Sequence, residues 1–465
     1  MKGPKKVFVC SECDAQFPRW SGQCPSCRAW NTLSEETYTA PAKQSLASVR
    51  PERGERATTF SKMEDTDSVR IITGIGELDR VLGGGLVPGS AVLLAGEPGI
   101  GKSTLLMQLC GKADDNYTVL YVSGEESKGQ LKMRAQRLGV DSADVLVLTE
   151  TDLDSVINEY ERVSPDVVIV DSVQTMVSAS VDSFAGSPTQ VRECSSSLIT
   201  HAKADGCAII LVGHVTKEGN IAGPKTLEHM VDAVLNFEGD RSQSHRIVRA
   251  IKNRYGSTNE IGVFEMTDTG LWEVDNPSAM LLAGRPREVS GSCAVCVMEG
   301  TRPIIAEIQA LVTTSVFPSP KRMTDGIDYN RMCLLLAVLE KRLGYKFSQC
   351  DVYLNVVGGL RIDEPSADAA IATALISSLK DIPVPADLIV AGEIGLSGEV
   401  RAISAAEQRA KEAERIGFKR IALPKRSILK KQPVLNEAKI IGVSGIYDFA
   451  AILATGAKNT NEDNE

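Results

Sequence analysis

The sequence predicts an α/β protein whose largest part is a parallel sheet flanked by helices. Three observations predict this class. Residues 67–275 alternate short apolar runs of β type with helical patterns, as chains with parallel sheets do. After Gly284-Arg285-Pro286, residues 287–455 begin a second alternation of strands and helices. Residues 1–33 precede both parts and are short and rich in cysteine, which is typical of a small metal-stabilised module.

The composition favours several domains and a cytoplasmic protein. A chain of 465 residues exceeds one ordinary core, and 43% hydrophobic residues are enough to build large ones. There is no apolar signal region at the N-terminus and no run of about 18 apolar residues, so we expect neither export nor a membrane span. Eleven cysteines fit a reducing compartment. The net charge of -9 limits any nucleic-acid contact to a local loop, module or channel.

Two CxxC pairs lie near the N-terminus, Cys10 with Cys13 and Cys24 with Cys27. Four thiolates close a tetrahedral site that suits Zn²⁺, and with no open position such a site is structural. A module of ~30 residues cannot fold on apolar burial alone, so metal binding would supply its folding free energy. A redox CxxC or an iron site are the alternatives. Residues 34–66 are polar and predict a linker.

A phosphate-binding loop follows the first predicted strand of the larger domain, residues 91–95. Its sequence is Gly96-Glu97-Pro98-Gly99-Ile100-Gly101-Lys102-Ser103, which matches GxxxxGK[ST], and a predicted helix begins at Ser103. The glycines let backbone N–H groups turn toward a phosphate, and the helix N-terminus adds its positive end. We expect Lys102 to neutralise β- and γ-phosphate oxygens, Ser103 to hold Mg²⁺ and Thr104 to lie near the α-phosphate. The loop therefore predicts a site for ATP or ADP with Mg²⁺.

Acidic residues follow two further predicted strands, Val119–Ser123 and Val167–Asp171. Asp171 at the end of a buried strand would order the water shell of Mg²⁺. Hydrolysis needs a carboxylate that orients the attacking water, and Glu125 is preferred over Glu126 for this role. A strand-end turn and an acidic helix N-terminus are the structural alternatives. The remaining predicted strands of this sheet are residues 145–148 and 208–212.

Lys252 and Arg254 stand two residues apart. On a strand, both side chains would point to the same face, where two cations can reach a phosphate. A solvated basic edge strand fits the same residues equally well.

The order of these motifs resembles the RecA/DnaB branch of P-loop ATPases. Residues 73–89 resemble the segment ahead of the phosphate loop in RecA- and KaiC-like proteins. The stretch Lys252-Asn-Arg-Tyr-Gly256 resembles the KNRFG motif of the bacterial RadA (Sms) family, with Tyr255 in place of Phe. Together with the zinc module and the C-terminal domain, the resemblance covers nearly the whole chain.

The resemblance implies a DNA-stimulated ATPase of DNA repair and homologous recombination that promotes branch migration. It implies a homohexameric ring in which Lys252 and Arg254 act on the neighbouring subunit's γ-phosphate as an arginine finger. The implied partners are single-stranded and branched DNA and a RecA-type recombinase filament. A Lon-type ATP-dependent protease and a KaiC-like regulatory ATPase are the alternatives.

Two polar loops are expected to line the pore of such a ring, residues 174–190 and residues 213–225. Lys217 and Lys225 could hold phosphates of single-stranded DNA. Gln174 and His214 could sense the γ-phosphate and move the loops. Plain surface polar residues are the alternative for each.

The C-terminal domain, residues 287–455, resembles the proteolytic domain of Lon, a Ser-Lys protease. Ser366 matches the nucleophile, but Arg409 stands where the lysine belongs, and arginine keeps its proton and cannot act as a base. Lys411 is two residues further on. We therefore expect a Lon-like scaffold whose Arg401, Arg409 and Lys411 could contact DNA, or form a solvated helix face. Residues 456–465 have low hydrophobicity and predict a disordered tail.

Overall fold

A computed structural model gives the fold of the chain. The structure describes residues 5–10, 16–26, 28, 30, 32–38, 59, 70–112, 117–141, 144–214, 226–239, 244–258, 260–286, 288–316, 318–429 and 433–462. The chain divides into two units, Met1–Glu273 and Val274–Glu465. None of the described helices is long and apolar enough to cross a membrane.

The N-terminal module is a small antiparallel sheet. Its strands are β1 (Lys5–Cys10), β2 (Gln16–Phe17) and β3 (Leu33–Tyr38), in the order β2-β1-β3. The prediction of a linker from residue 34 is wrong for residues 34–38, because β3 pairs with β1 along its whole length and so satisfies the backbone groups of a polar segment. Of residues 39–66, the structure describes position 59 alone.

The rest of the first unit is a nine-stranded sheet with helices on its faces. In chain order its elements are α1 (Gly76–Leu82), β4 (Ala91–Gly96), α2 (Lys102–Lys112), β5 (Val119–Ser123), α3 (Lys128–Leu138), β6 (Leu146–Leu148), α4 (Leu153–Val163), β7 (Val167–Asp171), α5 (Pro188–Asp205), β8 (Ala208–His214), α6 (Thr226–Met230), β9 (Ala233–Glu238), β10 (His245–Asn253), β11 (Ile261–Thr267) and β12 (Gly270–Glu273).

The strand order of this sheet is β12-β11-β10-β9-β4-β8-β7-β5-β6. The strands from β9 to β6 in that order are parallel, and β9 to β12 form an antiparallel meander. The five predicted strands are confirmed, with ends that differ by no more than two residues. The antiparallel strands β10 to β12 have no comparably clear apolar run in the sequence. Strand β10, for example, alternates buried and half-buried positions like an ordinary surface strand.

The central strands are buried on both faces, as a parallel sheet covered by helices requires. Along β4, Val92 and Leu94 join one apolar cluster, and Ala91 and Leu93 join the other. This alternation fixes β4 between two cores and places its end, Gly96, at the carboxyl edge of the sheet.

The second unit contains a mixed seven-stranded sheet in the order β15-β16-β14-β13-β17-β20-β21 and a two-stranded sheet of β18 and β19. Its elements are α7 (Pro277–Leu281), β13 (Ser292–Glu299), β14 (Arg302–Thr314), β15 (Arg322–Asp325), α8 (Tyr329–Leu343), β16 (Cys350–Val356), α9 (Asp368–Lys380), β17 (Leu388–Val390), β18 (Glu393–Ile394), β19 (Val400–Arg401), α10 (Ala406–Ile416), β20 (Arg420–Pro424), α11 (Lys425–Ile428), β21 (Lys439–Val443) and α12 (Ile446–Glu462).

The last helix corrects one prediction. Helix α12 runs to Glu462, so residues 456–462 are helical where the composition predicted a disordered tail. Ile446, Phe449 and Leu453 are buried and anchor the first turns. A helix nucleated in this way gains a hydrogen bond for each residue added, which extends it through a polar end.

Candidate functional site

The phosphate loop joins the end of β4 to the start of α2. Gly99 and Gly101 have φ angles of 78° and 124°, in the region that favours glycine. A Cβ on Gly101 would lie 2.7 Å from Met266 Cε, so the end of that methionine would have to shift to admit a side chain. The loop thus needs glycine at both positions for backbone conformation.

Lys102 is buried within this loop, with 4% of its surface exposed. Its Nζ donates hydrogen bonds to the carbonyl oxygens of Gly96 at 2.8 Å and Glu97 at 2.9 Å. Burial lowers the pKa of Lys102 to about 8, and the nearby carboxylates of Asp171, Glu125 and Glu97 partly oppose that shift. The ammonium therefore lies inside the loop, where it can reach phosphate oxygens bound by the loop.

Two carboxylates, Glu125 after β5 and Asp171 at the end of β7, each accept a hydrogen bond from a hydroxyl group on or next to the other strand. The strands are neighbours, with Ser123 opposite Asp171. Tyr121 Oη donates to Asp171 Oδ2 at 2.6 Å, and Ser172 Oγ donates to Glu125 Oε1 at 2.6 Å. Hydrogen bonds of this length to carboxylates fix the direction of each acidic side chain.

Glu126, the second acidic candidate, is engaged differently. Its Oε1 lies 2.6 Å from Arg134 Nη2 on α3. Burial raises the pKa of Glu126, and Arg134 counters that rise. Glu126 thus forms an ion pair with a helix, whereas Glu125 is held by the strand end that carries Asp171.

These side chains share one open cavity of about 680 Å³, a size typical of small-molecule sites. Most of the predicted phosphate-loop residues line it, as do the carboxylates of Glu125 and Asp171. Its lining residues are Pro98, Gly99, Gly101, Lys102, Ser103, Thr104, Ser123, Glu125, Glu126, Arg134, Arg137, Asp171, Arg246, Met266, Thr267, Asp268 and Gly270.

Several of these lining residues were not predicted from the sequence. Arg134 and Arg137 stand three apart on α3, a spacing that places them on one helix face and could have flagged them. Arg246 lies on β10 and donates from Nε to the Ile100 carbonyl at 3.1 Å. No sequence motif near Arg246 predicts this contact. Arg246 reaches the phosphate loop only because the antiparallel extension, which lies far along the chain from the loop, folds next to it.

Lys252 and Arg254 do not line this cavity, and both face the connection between α6 and β9. Lys252 Nζ donates to the carbonyls of Glu228 at 2.6 Å and Val231 at 2.8 Å. Arg254, just beyond the end of β10, forms an ion pair of 2.9 Å with Asp232. Burial lowers the pKa of Lys252, and the adjacent Arg254 adds to that effect.

Asp232 is the centre of that arrangement. Its side chain is 2% exposed. It accepts from the backbone N–H of Ala91, the first residue of β4, at 3.0 Å, and pairs with Lys203 at 3.3 Å as well as with Arg254. The two cations of the motif are therefore held at one end of β4, and the phosphate loop lies at the other.

The first predicted polar loop is shorter than expected. Residues 188–190 belong to α5, so the segment predicted over 174–190 is wrong at its end. Gln190 is buried and its amide contacts the backbone of Ser178, Val181 and Ser183, which pins the loop to the helix. Phe184, 80% exposed, lies within the loop.

The other residues proposed as sensors or DNA contacts are only partly described. Gln174 lies in a short 3₁₀ turn after β7. His214 ends β8 opposite Gly96 of β4. Lys217 and Lys225 lie outside the described residues.

The N-terminal module brings one cysteine of each CxxC pair together. Cys10 and Cys24 are buried in a single cluster with Leu33, and Cys10 Sγ donates to Thr32 Oγ1 at 3.2 Å. Cys13 and Cys27 lie outside the described residues. Two buried thiols from separate pairs fit the donor chemistry of a shared zinc site.

In the second unit, Arg409 lies beside Ser366. Arg409 is 1% exposed, its Nη1 donates to Ser366 Oγ at 3.1 Å and to the Cys296 carbonyl at 2.5 Å, and it forms an ion pair with Glu364. Lys411 is exposed and pairs with Glu407 at 2.9 Å. The prediction that Arg409 could contact DNA is wrong, because its guanidinium is buried against Ser366. Arg401 is exposed and pairs with Glu393 and Glu399.

Three family models match separate parts of the chain. A model of the AAA domain matches residues 56–220, and one of the Lon protease (S16) C-terminal proteolytic domain matches residues 338–448. A model of a rubredoxin metal binding domain matches residues 8–35. These matches agree with the nucleotide site, the Ser366 region and the cysteine module.

Relatives over nearly the whole length share one description. The DNA repair protein RadA of Halalkalibacterium halodurans is 48% identical, over 96% of this chain and 98% of that protein. The DNA repair protein RadA of Bacillus subtilis is 47% identical, over 98% and 99%. The protein of the same description from Haemophilus influenzae is 45% identical, over 97% and 99%.

Proposed function

The chain belongs to the RadA family of DNA repair proteins, and on that premise we propose that it is a DNA-stimulated ATP hydrolase that processes recombination intermediates and promotes branch migration of RecA-type strand exchange. One observation carries the proposal. Lys102, Glu125 and Asp171 come from three strand ends and converge on one cavity. That set can bind a triphosphate and direct water at it.

Each of these residues has a separate task. The backbone of Gly96, Glu97, Pro98, Gly99, Ile100 and Gly101 surrounds the phosphates, Lys102 neutralises β- and γ-oxygens, and Thr104 lies near the α-phosphate. When bound, Mg²⁺ would neutralise phosphate charge, held by the Ser103 hydroxyl and a water shell that Asp171 orders. Glu125 orients the attacking water and polarises it.

Lys252 and Arg254 complete the site from a neighbouring subunit. Neither Lys252 nor Arg254 lines the cavity of its own chain. Any contact with a γ-phosphate must therefore be made in another copy. This supports a homohexameric ring in which each cavity receives the Lys252–Arg254 pair of the next subunit as an arginine finger.

DNA contacts would then be local, as the net charge of -9 requires. Strands β7 and β8 end at the same sheet edge as the cavity, which suits loops that respond to nucleotide. Single-stranded and branched DNA and a RecA-type filament are the proposed partners. Zn²⁺ held by Cys10, Cys13, Cys24 and Cys27 would be structural, and a chain with eleven cysteines fits the reducing cytoplasm.

The test compares two neighbouring carboxylates. Glu125→Gln should bind ATP normally and lose hydrolysis about 100-fold or more, the usual contribution of a general base. Glu126→Gln is the matched control and should keep hydrolysis within a fewfold, because Glu126 pairs with Arg134. Both are measured with and without single-stranded DNA.

Two results would contradict the proposal. Full turnover by Glu125→Gln would show that the water is activated elsewhere. Turnover of the unmodified protein that does not respond to any DNA would favour a KaiC-like regulatory ATPase instead.

A further inference from the structure

Two tryptophans of the N-terminal module are exposed to solvent. Trp20 and Trp30 have 60% and 71% of their surfaces accessible. The whole chain has three tryptophans, so two of them stand on a module of fewer than 40 residues. Large exposed aromatic side chains on so small a module are characteristic of a binding surface.

Both indoles approach Gly22. A Cβ on Gly22 would be 3.8 Å from Trp20 Cη2 and 3.8 Å from Trp30 Cζ3, both atoms of the six-membered rings. An antiparallel bridge ties Trp30 to Gln23. The Gln23 amide in turn donates to the Arg28 carbonyl at 2.8 Å. The backbone therefore holds two aromatic rings near each other above a glycine that adds no side chain between them.

Each tryptophan has an arginine close to it in the sequence. Arg19 precedes Trp20, and Arg28 lies two residues before Trp30. Both arginines are exposed, and within the described part of the chain neither side chain forms an ion pair. Two exposed guanidiniums close in sequence to the two tryptophans would add positive charge to this aromatic surface, on a chain whose net charge is -9.

The kind of partner follows from this chemistry. Protein interfaces have an apolar core, but among the side chains of this module whose burial the structure describes, the exposed large hydrophobic ones are Trp20 and Trp30 alone. Flat aromatic rings combined with cations instead suit the binding of single-stranded nucleic acid. Every base has a face that can stack on a ring, and every linkage between nucleotides carries a phosphate.

We propose that Trp20 and Trp30 form a stacking site for unpaired bases of single-stranded DNA, with Arg19 and Arg28 contacting the flanking phosphates. The inference rests on the proposed function in that it assumes a DNA substrate. It adds a contact point in the zinc module, separate from the loops of the ATPase sheet.

The experiment uses the full-length zinc-loaded protein with Trp272→Phe, so that Trp20 and Trp30 are its only indoles. Oligothymidine should quench their fluorescence, whereas an abasic oligomer of equal length should not. In the same background, Trp20→Ala and Trp30→Ala should each weaken oligothymidine binding about tenfold, within the range of base–aromatic stacking, and leave binding of the abasic oligomer unchanged.

Further variants separate stacking from folding and from charge. Trp20→Phe and Trp30→Phe keep a ring and should recover part of the affinity. Replacing both Arg19 and Arg28 by Ala should lower the slope of log affinity against log salt by roughly 0.7 for each phosphate that the protein no longer neutralises. Bound zinc and ATPase activity without DNA should match the parent in all variants, because none of these residues lines the nucleotide cavity.

The outcomes distinguish the inference from the proposed function. Parent-like oligothymidine affinity in both Trp→Ala variants would overturn the inference. Quenching by oligothymidine in a parent whose ATPase does not respond to DNA would contradict the proposed function and support the inference.

Discussion

Tyr121 Oη donates a hydrogen bond of 2.6 Å to Asp171 Oδ2, between neighbouring strands of the sheet. Tyr121 is fully buried. Burial and the adjacent carboxylate raise the pKa of Tyr121 well above its usual value, so the phenol keeps its proton at any physiological pH. It is therefore a permanent donor that fixes one oxygen of Asp171 and leaves the other for the cavity.

This relationship predicts the effect of Tyr121→Phe. Without the donor, Asp171 loses its fixed direction, so the Mg²⁺ concentration for half-maximal ATPase should rise severalfold, while kcat at saturating Mg²⁺ stays within about threefold. The lost hydrogen bond to a carboxylate should also destabilise the fold by about 1.5–3 kcal/mol. Mg²⁺ titrations of the ATPase rate measure the first effect, and chemical denaturation measures the second.

Tyr160→Phe is the matched control, because Tyr160 Oη donates to Asp205 Oδ2 at 3.0 Å on the same unit but away from the cavity. It should lower stability by a similar amount and leave the Mg²⁺ dependence alone. An unchanged Mg²⁺ requirement in Tyr121→Phe would reduce Tyr121 to a purely structural role.

The sequence predicts those parts of the site whose spacing is local. Lys102 follows from the loop motif, and Glu125 and Asp171 follow from predicted strand ends. The hydroxyl groups that orient the two carboxylates do not, since Tyr121 and Asp171 are 50 residues apart and meet only through strand pairing. Arg246 was missed for the same reason.

Errors of prediction came from polar segments that make hydrogen bonds the sequence does not reveal. Residues 34–38 look like linker and pair with β1. Gln190 looks like part of a polar loop, yet its buried amide is bonded to that loop's backbone. Arg409 looks like a surface cation, but Ser366 and Glu364 lie against it.

A shared site predicts complementation between two inactive variants. Arg254→Ala should bind ATP but lose hydrolysis, because in a shared site its guanidinium would act on the cavity of the next subunit. Lys102→Ala should fail to bind nucleotide at its own cavity while still offering Arg254 to a neighbour. Mixing the two proteins should restore part of the ATPase rate, measured across mixing ratios at constant total concentration.

Arg249→Ala is the control for this experiment. Arg249 lies on β10 like Lys252 but pairs with Glu238 at 3.5 Å, so its variant should hydrolyse ATP without help. Mixtures of Arg254→Ala and Lys102→Ala that stay inactive, although both proteins assemble, would exclude the shared site.

The Arg409 cluster predicts a structural rather than a proteolytic role. Arg409→Ala removes a buried guanidinium and leaves Glu364 unpaired, which should destabilise the second unit by roughly 3 kcal/mol, at the low end for buried pairs because Glu364 is a quarter exposed. Arg409→Lys keeps the charge and should cost less. Thermal unfolding measures both.

Peptide cleavage is the readout that separates the two roles. Neither the parent nor Ser366→Ala should cleave casein or short peptides, since the group beside Ser366 remains protonated. Cleavage by the parent that disappears in Ser366→Ala would restore the protease alternative.

Removal of zinc should unfold the N-terminal module and spare the ATPase sheet. Among its described side chains, the module's apolar cluster consists of Cys10, Cys24 and Leu33, with Phe8 and Phe17 against it. So few side chains cannot offset the ordering of more than 30 residues, whereas structural zinc contributes about 10–16 kcal/mol in isolated fingers. Chelation should therefore expose residues 5–38 to protease while DNA-independent ATPase continues.

Cys24→Ser should reproduce the effect of chelation, because it removes one ligand from the site. Cys194→Ser is the matched control, since Cys194 is equally buried but packs in the ATPase core rather than the module. It should keep the module folded and zinc bound, even if it lowers the stability of the sheet. Chelation that stops the basal ATPase would show that the two parts do not fold independently, and a protease-resistant module without metal would show that apolar packing alone suffices.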